Sequence, residues 1–255
     1  MVGMDLSAAL TNIEDFYRRI YWRASGAVTH ATSDYTLSYS GVTFLHSINQ
    51  LWLHRPDALD DELMALADEF FAKHQAEYSI VFNEATRSNL SSWLAVRQFG
   101  ERYSNPILGL HGLPRPYNAY REARIVRACI EQQQELLQVL YGVFFMGPEL
   151  GRRIVCPDHF ADSNIRHYLA YIGCDAVACA TILLSDGLAG VWNVGTLRPY
   201  RRQGLASAIL MQALVDAAAD GYPDSVLIAS PMGRSLYEEM GYQLIGTTYS
   251  FGPLD

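Results

Sequence analysis

The stretch Val191-Trp192-Asn193-Val194-Gly195-Thr196-Leu197-Arg198-Pro199-Tyr200-Arg201-Arg202-Gln203-Gly204-Leu205-Ala206-Ser207 decides how this chain is read. Its first seven residues have the composition of a strand. From Ser207 to Ala219 the apolar residues Ile209, Leu210, Ala213, Leu214 and Ala217 recur at helical spacing. A strand, a short loop with small residues and a helix start together aim several backbone N–H groups at one point. Those donors, with the positive end of the helix dipole, suit a pyrophosphate. Gly204 and Ala206 matter because larger side chains would hold a phosphate away from the backbone. Arg198, Arg201 and Arg202 crowd this loop although the chain's formal net charge is −8. A basic turn capping an ordinary helix is the competing reading, and the full strand–cradle–helix context favours the phosphate.

Working outward, the C-terminal half reads as strand 123–130, helix 131–145, a short helix at 149–155 and a strand at 168–172. Runs 176–184 and 188–197 form a hairpin across Ser185-Asp186-Gly187, where Asp-Gly signals a tight turn. After the cradle helix come a buried strand (225–229), a helix (234–240) and a last strand (242–249).

The N-terminal half repeats this grammar. It reads as a helix over 6–22, strands at 27–32, 35–39 and 43–53, and a helix from Asp57 to about Gln75. A strand at 78–82, a helix at 88–98 and a strand at 103–110 complete it. The layout of Asn89–Leu110 matches that of Arg234–Phe251, a faint internal repeat. Gly112 to Asn118, with Pro114 and Pro116, is the best linker. The expected domains are therefore 1–113 and 119–255.

The 255 residues, half of them hydrophobic and 18% charged, have the composition of a soluble globular protein with room for two domains. An acidic total argues against nonspecific nucleic-acid binding. No apolar run is long enough to span a membrane; Leu136 to Met146 comes closest. The N-terminus has no signal-peptide core, and Cys129, Cys156, Cys174 and Cys179 match no zinc-ligand or redox spacing. They read as reduced, small hydrophobes, so the expectation is a cytoplasmic protein without a metal site.

Residues 193–206 closely resemble the acyl-CoA-binding motif of the GNAT superfamily of N-acyltransferases: a strand, Arg/Gln-x-x-Gly-x-Gly/Ala, then a helix. Ala229 to Tyr242, containing Leu236-Tyr237-Glu238-Glu239-Met240-Gly241-Tyr242, resembles the family's later strand-to-helix segment. The resemblance covers about residues 121–251, and more weakly extends to the first half as a degenerate copy. It implies an α/β fold of two GNAT-like domains in tandem, with mostly antiparallel sheets flanked by helices. It also implies transfer of an acetyl group from acetyl-CoA to an amine, by direct attack in a ternary complex. By this resemblance Val194, Gly195 and Thr196 contact the pantetheine arm. Arg201, Arg202, Gln203, Gly204, Leu205, Ala206 and Ser207 hold the pyrophosphate, and Tyr237 is the general acid for the leaving thiolate.

The first half departs from this pattern. Asp57, Asp60, Asp61 and Glu62 stand where a cradle would open the helix, and carboxylates there repel a pyrophosphate. Leu94 answers to Tyr237 and has no proton to give. No general base is assigned; Asp158, His159, Asp162 and His167 are candidates beside an ordered water. The aromatic residues Tyr141, Phe144, Phe145 and Trp192 are compatible with an acceptor pocket, but a helical stripe of that kind is more often core than pocket, and they are assigned no role. The acceptor, a small molecule or a peptide amine, is not named by the sequence, and a homodimer is one oligomeric state it allows. The rival reading is a catalytically silent, CoA-responsive binding or scaffold protein.

Overall fold

In the computed structural model of the chain, residues 4–23, 25–43, 46–55, 57–115, 123–145 and 147–254 are described. The first half contains α1 (Leu6–Ile20), β1 (Val28–Ala31), β2 (Tyr35–Tyr39), β3 (Gln50–Leu53), α2 (Asp61–Lys73), β4 (Ser79–Asn83), α3 (Glu84–Val96) and β5 (Phe99–Leu110). The second contains β6 (Arg124–Arg127), α4 (Gln133–Phe144), α5 (Pro148–Ile154), α6 (Pro157–Ala161), β7 (Ile165–Ile172), β8 (Asp175–Ser185), β9 (Leu188–Thr196), α7 (Leu205–Ala219), β10 (Asp224–Ile228), α8 (Arg234–Glu239) and β11 (Gln243–Pro253).

The chain divides into two compact units, the larger comprising Met1–Phe16 and Ile107–Ile245, the smaller Tyr17–Pro106 and Gly246–Asp255. The expected split at 113/119 lies near this division in mid-chain but differs from it at both ends. The cause is packing and pairing. Within the larger unit, Asn12 of α1 is fully buried and its Nδ2 donates to Ser185 O and Oγ, both at 3.1 Å, and to Leu188 O at 3.3 Å. Phe16 stacks on Trp192 with ring centroids 3.9 Å apart. Within the smaller unit, Thr248–Phe251 of β11 pairs antiparallel with Asn83–Ile80 of β4. Of the expected linker, residues 116–118 lie outside the described residues.

In the larger unit the strand order is β5-β10-β9-β8-β7-β6, in which only β9 and β10 run parallel. Strands β7, β8 and β9 form an antiparallel meander. The turn joining β8 to β9 has positive φ at Asp186 (51°) and Gly187 (74°), as a two-residue hairpin of this twist requires. Helix α7 is the crossover that makes β10 parallel to β9. Its Leu205, Ile209, Leu210, Ala213, Leu214 and Ala217 share one buried cluster with Tyr168, Ala180, Ile182 and Val191 of the sheet. The smaller unit repeats this order: β1, β2 and β3 are antiparallel neighbours, α2 crosses over, and β4 lies parallel to β3. Leu37, Leu51, Phe71, Ile80, Phe82 and Leu94 form its core.

Two local expectations are corrected. The strand expected over 43–53 is a 3-10 turn at His46–Ile48 followed by β3. Buried Asn49 turns the chain there, its Oδ1 accepting from Ser40 N at 2.9 Å and its Nδ2 donating to Val42 O at 2.8 Å. Helix α6 was not anticipated; five residues are too few for a periodic signal, although Pro157 at its first turn pre-sets φ.

Packing also explains a glycine of β9. A Cβ built on Gly195 would lie 2.3 Å from Val143 Cγ1 of α4. Gly195→Ala is therefore expected to lower unfolding free energy by about 1–3 kcal/mol through overpacking. Adding Val143→Ala should recover part of the loss, as measured by urea denaturation.

Candidate functional site

The site is built where β9 leaves its parallel neighbour. The β9–β10 ladder pairs Leu188 with Asp224, Ala189 with Ser225 and Gly190 with Val226, and then stops. Strand β10 continues against β5 through Leu227↔Leu108 and Ile228↔Ile107. From Val191 onward, the β9 edge that faced β10 therefore has no ladder partner among the described residues. On the other edge Leu197 N donates to Val177 O at 2.9 Å, and the Gly195 N–H points at the Cys179 sulfur. Because backbone groups alternate along a regular strand, those of Thr196 face the open edge. One of them is occupied: Thr196 O accepts from Arg201 Nε at 3.0 Å.

A bulge sharpens this divergence. Cys179 pairs with Gly195 and Thr181 with Trp192, so Asn193 and Val194 together oppose the single residue Ala180. Asn193 takes φ +51°, and its carbonyl accepts from the Cys179 thiol at 3.3 Å. Burial pushes that thiol up to about 12, against a smaller opposing effect of the Gly195 N–H, so it stays protonated as a donor.

Beyond β9, a 3-10 turn at Arg198–Tyr200 leads into the start of α7. The cap residue Gly204 has φ 81° and ψ 8°, a left-handed conformation that would strain any side-chain-bearing replacement. No side chain caps this helix. Its first internal bond is Ala208 N to Gly204 O at 3.0 Å. The N–H groups of Gly204, Leu205, Ala206 and Ser207 consequently meet no acceptor among the described residues. Leu205 and Ser207 are buried. Arg198, Arg201 and Arg202 have no carboxylate partner among the described residues, and Arg202, at φ 63°, is exposed. Gln203 is exposed and its amide donates to Pro199 O at 3.4 Å. The contrast with the smaller unit is direct. At the start of α2 the Asp60 carboxylate accepts from Leu63 N at 2.8 Å, so a protein anion fills that helix start.

Tyr237 lies on α8, with its ring buried and 5.8 Å from that of Tyr242. Its hydroxyl has no hydrogen bond among the described residues, and burial alone pushes it up to about 12. The phenol is therefore protonated at neutral pH and free to donate. Leu94, its expected counterpart, is fully buried in the smaller core.

The four candidate bases lie in different surroundings. Asp158 is exposed, and Asp162 caps a turn through its bond from Asn164 N at 3.0 Å. His159 Nδ1 faces Ile154 O at 3.0 Å, and His167 Nδ1 faces Thr181 Oγ1 at 2.9 Å. Among the described residues no group of three or more His, Cys, Asp or Glu could hold a metal ion, and no helix is long and apolar enough to cross a membrane. The sequence reading passed over the Asn193 bulge and its Cys179 contact. The one available signal was an asparagine, a residue that tolerates positive φ, inside an apolar strand.

Burial, and secondarily the neighbouring His159, pushes His167 down to about 3. A neutral buried histidine stabilises the fold fully above its unfolded pKa, roughly 6.5, and progressively less as pH falls toward its folded value. Urea midpoints measured from pH 7 to pH 4 should therefore fall more steeply in the wild type than in His167→Gln. The excess slope is limited to about 1.4 kcal/mol per pH unit.

With this geometry in hand, residues 131–242 match the acetyltransferase (GNAT) family. No curated protein matches the chain. Among solved structures, a GCN5-related N-acetyltransferase from Kribbella flavida superposes with TM-score 0.73 at 16% identity, covering 98% of this chain and 96% of that one. One from Sphaerobacter thermophilus gives TM-score 0.63 at 14% identity, covering 88% and 81%. A glucosamine N-acetyltransferase region of a fungal multi-domain GH3 beta-N-acetylglucosaminidase gives 0.65 at 12% identity, covering 97% of this chain and 36% of that one. At such identities these likenesses speak to the fold.

Proposed function

We propose, from the match of residues 131–242 to the acetyltransferase (GNAT) family, that this protein transfers an acetyl group from acetyl-CoA to an amine, by direct attack in a ternary complex. The observation that carries the reading is the start of α7, whose N–H groups have no acceptor and whose three arginines have no carboxylate partner among the described residues. Such a site fits a diphosphate. Acetyl-CoA supplies an activated thioester; the residues of the chain do the rest. Gly204 through Ser207 hold the diphosphate by main-chain N–H groups, while Arg201, Arg202 and Gln203 line its mouth. The open edge of β9 at Val194, Gly195 and Thr196 receives the pantetheine arm as a strand receives a neighbour.

The acceptor nitrogen forms a bond to the carbonyl carbon, the carbon–sulfur bond breaks, and Tyr237 gives its proton to the departing sulfur. The proton lost by the amine passes to water, from which Tyr237 is recharged. On this reading residues 1–113 are a degenerate copy whose helix start is closed by Asp60, and 119–255 carry the chemistry.

Strand β9 bears no titratable side chain, which motivates a second reading, a CoA-responsive binding protein without turnover. The two readings differ in whether acetyl-CoA is consumed when primary amines are supplied.

Acetyl-CoA at a hundredfold excess over its Kd should stabilise the fold by about 2.7 kcal/mol. That raises the melting temperature by several degrees, and Gly204→Asp should abolish the rise. An equal rise in that variant would contradict the cradle. Tyr237→Phe should keep the rise but lose roughly a hundredfold or more in kcat across a panel of amino sugars, amino acids and a lysine peptide. Full rate in that variant would remove the acid role. Tight acetyl-CoA binding with no consumption on any amine would favour the second reading.

A further inference from the structure

Gly233 stands four residues before Tyr237, and its backbone gives no reason for a glycine. At φ −88° and ψ −17° it lies in the right-handed region open to every L-residue. Its N–H donates to Ser230 O at 3.0 Å and to Ser230 Oγ at 3.2 Å, bonds that a side chain would not remove. What a side chain would meet is the phenol. A Cβ built on Gly233 lies 3.0 Å from Tyr237 Cε2 and 3.6 Å from Cζ, the carbon that bears the hydroxyl. Helical geometry is the cause: a side chain leans toward the N-terminus and covers the residue four before it. With no Cβ beneath it, the ring rests against bare backbone.

The other surroundings of the ring are filled. Tyr237 is only 8% exposed, and the Tyr242 ring is set edge-on to it at 67°. Tyr242 is itself tethered, its hydroxyl 2.7 Å from Ser225 Oγ inside the fold. The sealed, unpartnered side-chain atoms of the described residues do not include the Tyr237 hydroxyl. The smaller unit carries the converse arrangement. Leu94, which answers to Tyr237, is preceded at the same spacing by Leu90, and both are buried in that unit's core. Where the phenol is absent, the glycine is absent too.

We infer that Gly233 is a positioning residue for acetyl transfer: by carrying no side chain it sets where the Tyr237 ring lies, and so holds the hydroxyl within reach of the departing sulfur. This rests on the acetyl-transfer reading above and on the acid role given there to Tyr237. Gly233 itself touches no reacting atom. A methyl group at this position would force the ring to give by a few tenths of an ångström. Proton transfer depends steeply on donor–acceptor distance, so a shift of that size lowers the rate about three- to tenfold.

Two variants test the role. Gly233→Ala adds the Cβ alone, and Gly233→Ser adds it with a hydroxyl able to cap α8. Both should keep the acetyl-CoA melting shift. Acetyl-CoA consumption with the fastest amine of the panel should fall about three- to tenfold in kcat, with KM for acetyl-CoA nearly unchanged. In a Tyr237→Phe background the same substitutions should change kcat less than about twofold, since no proton is left to misplace. A readout free of turnover is the resonance of Tyr237 labelled with 13C at Cζ, identified by its disappearance in Tyr237→Phe. It should move in Gly233→Ala without any ligand. A stationary resonance, a wild-type kcat in Gly233→Ala, or an equal loss with and without the phenol overturns the assignment and leaves the acetyl-transfer reading standing. Full rate in Tyr237→Phe overturns both the acid role and this inference. A wild-type protein with neither a melting shift nor consumption of acetyl-CoA overturns the acetyl-transfer reading as well.

Discussion

Everything proposed for this protein depends on main-chain N–H groups at the start of α7 that have no acceptor among the described residues. A helix start ordinarily recruits a side chain, as α2 recruits Asp60. Helix α7 instead begins at a left-handed glycine with no side-chain cap. Its dipole and its first-turn donors are turned outward beside three arginines. The adjoining strand loses its ladder to β10 beyond Gly190, and of the groups on that edge Thr196 O is taken by Arg201 Nε. These two stretches, contiguous in sequence, are the observations on which the proposed acetyl-CoA site rests.

Comparison of the two units shows how local chemistry, rather than topology, separates them. Each has a three-stranded meander, a crossover helix and a parallel strand, followed by a further helix. The side chains at equivalent points are opposite in kind. Asp60 closes one helix start where Gly204 opens the other, and Leu94 fills a core where Tyr237 keeps a free hydroxyl. We read the smaller unit as a retained scaffold on this ground.

Much of this was legible in the sequence because it is carried by local signals. The Asp186-Gly187 turn, the apolar period of α7 and the glycine at its cap each fix their own short segment. The helix-start acids of α2 were equally plain. What the sequence did not disclose depends on pairing between distant segments. Residues 1–16 join the larger unit through Asn12 and Phe16, and residues 246–255 join the smaller through the β4 ladder, neither of which local pattern encodes. The bulge at Asn193 is likewise a matter of register between β8 and β9. Gly195 shows the reverse difficulty: it belongs to the motif, and its lack of a side chain is also demanded by Val143.

The most direct measurement is a titration of the protein with coenzyme A, followed through the backbone amide proton and nitrogen resonances. If the cradle grips a diphosphate, the Gly204, Leu205, Ala206 and Ser207 amide protons move strongly downfield, while Leu63 and Met64 at the capped start of α2 stay in place. If coenzyme A binds and those four amides do not respond, the ligand lies elsewhere and the account of this site is wrong.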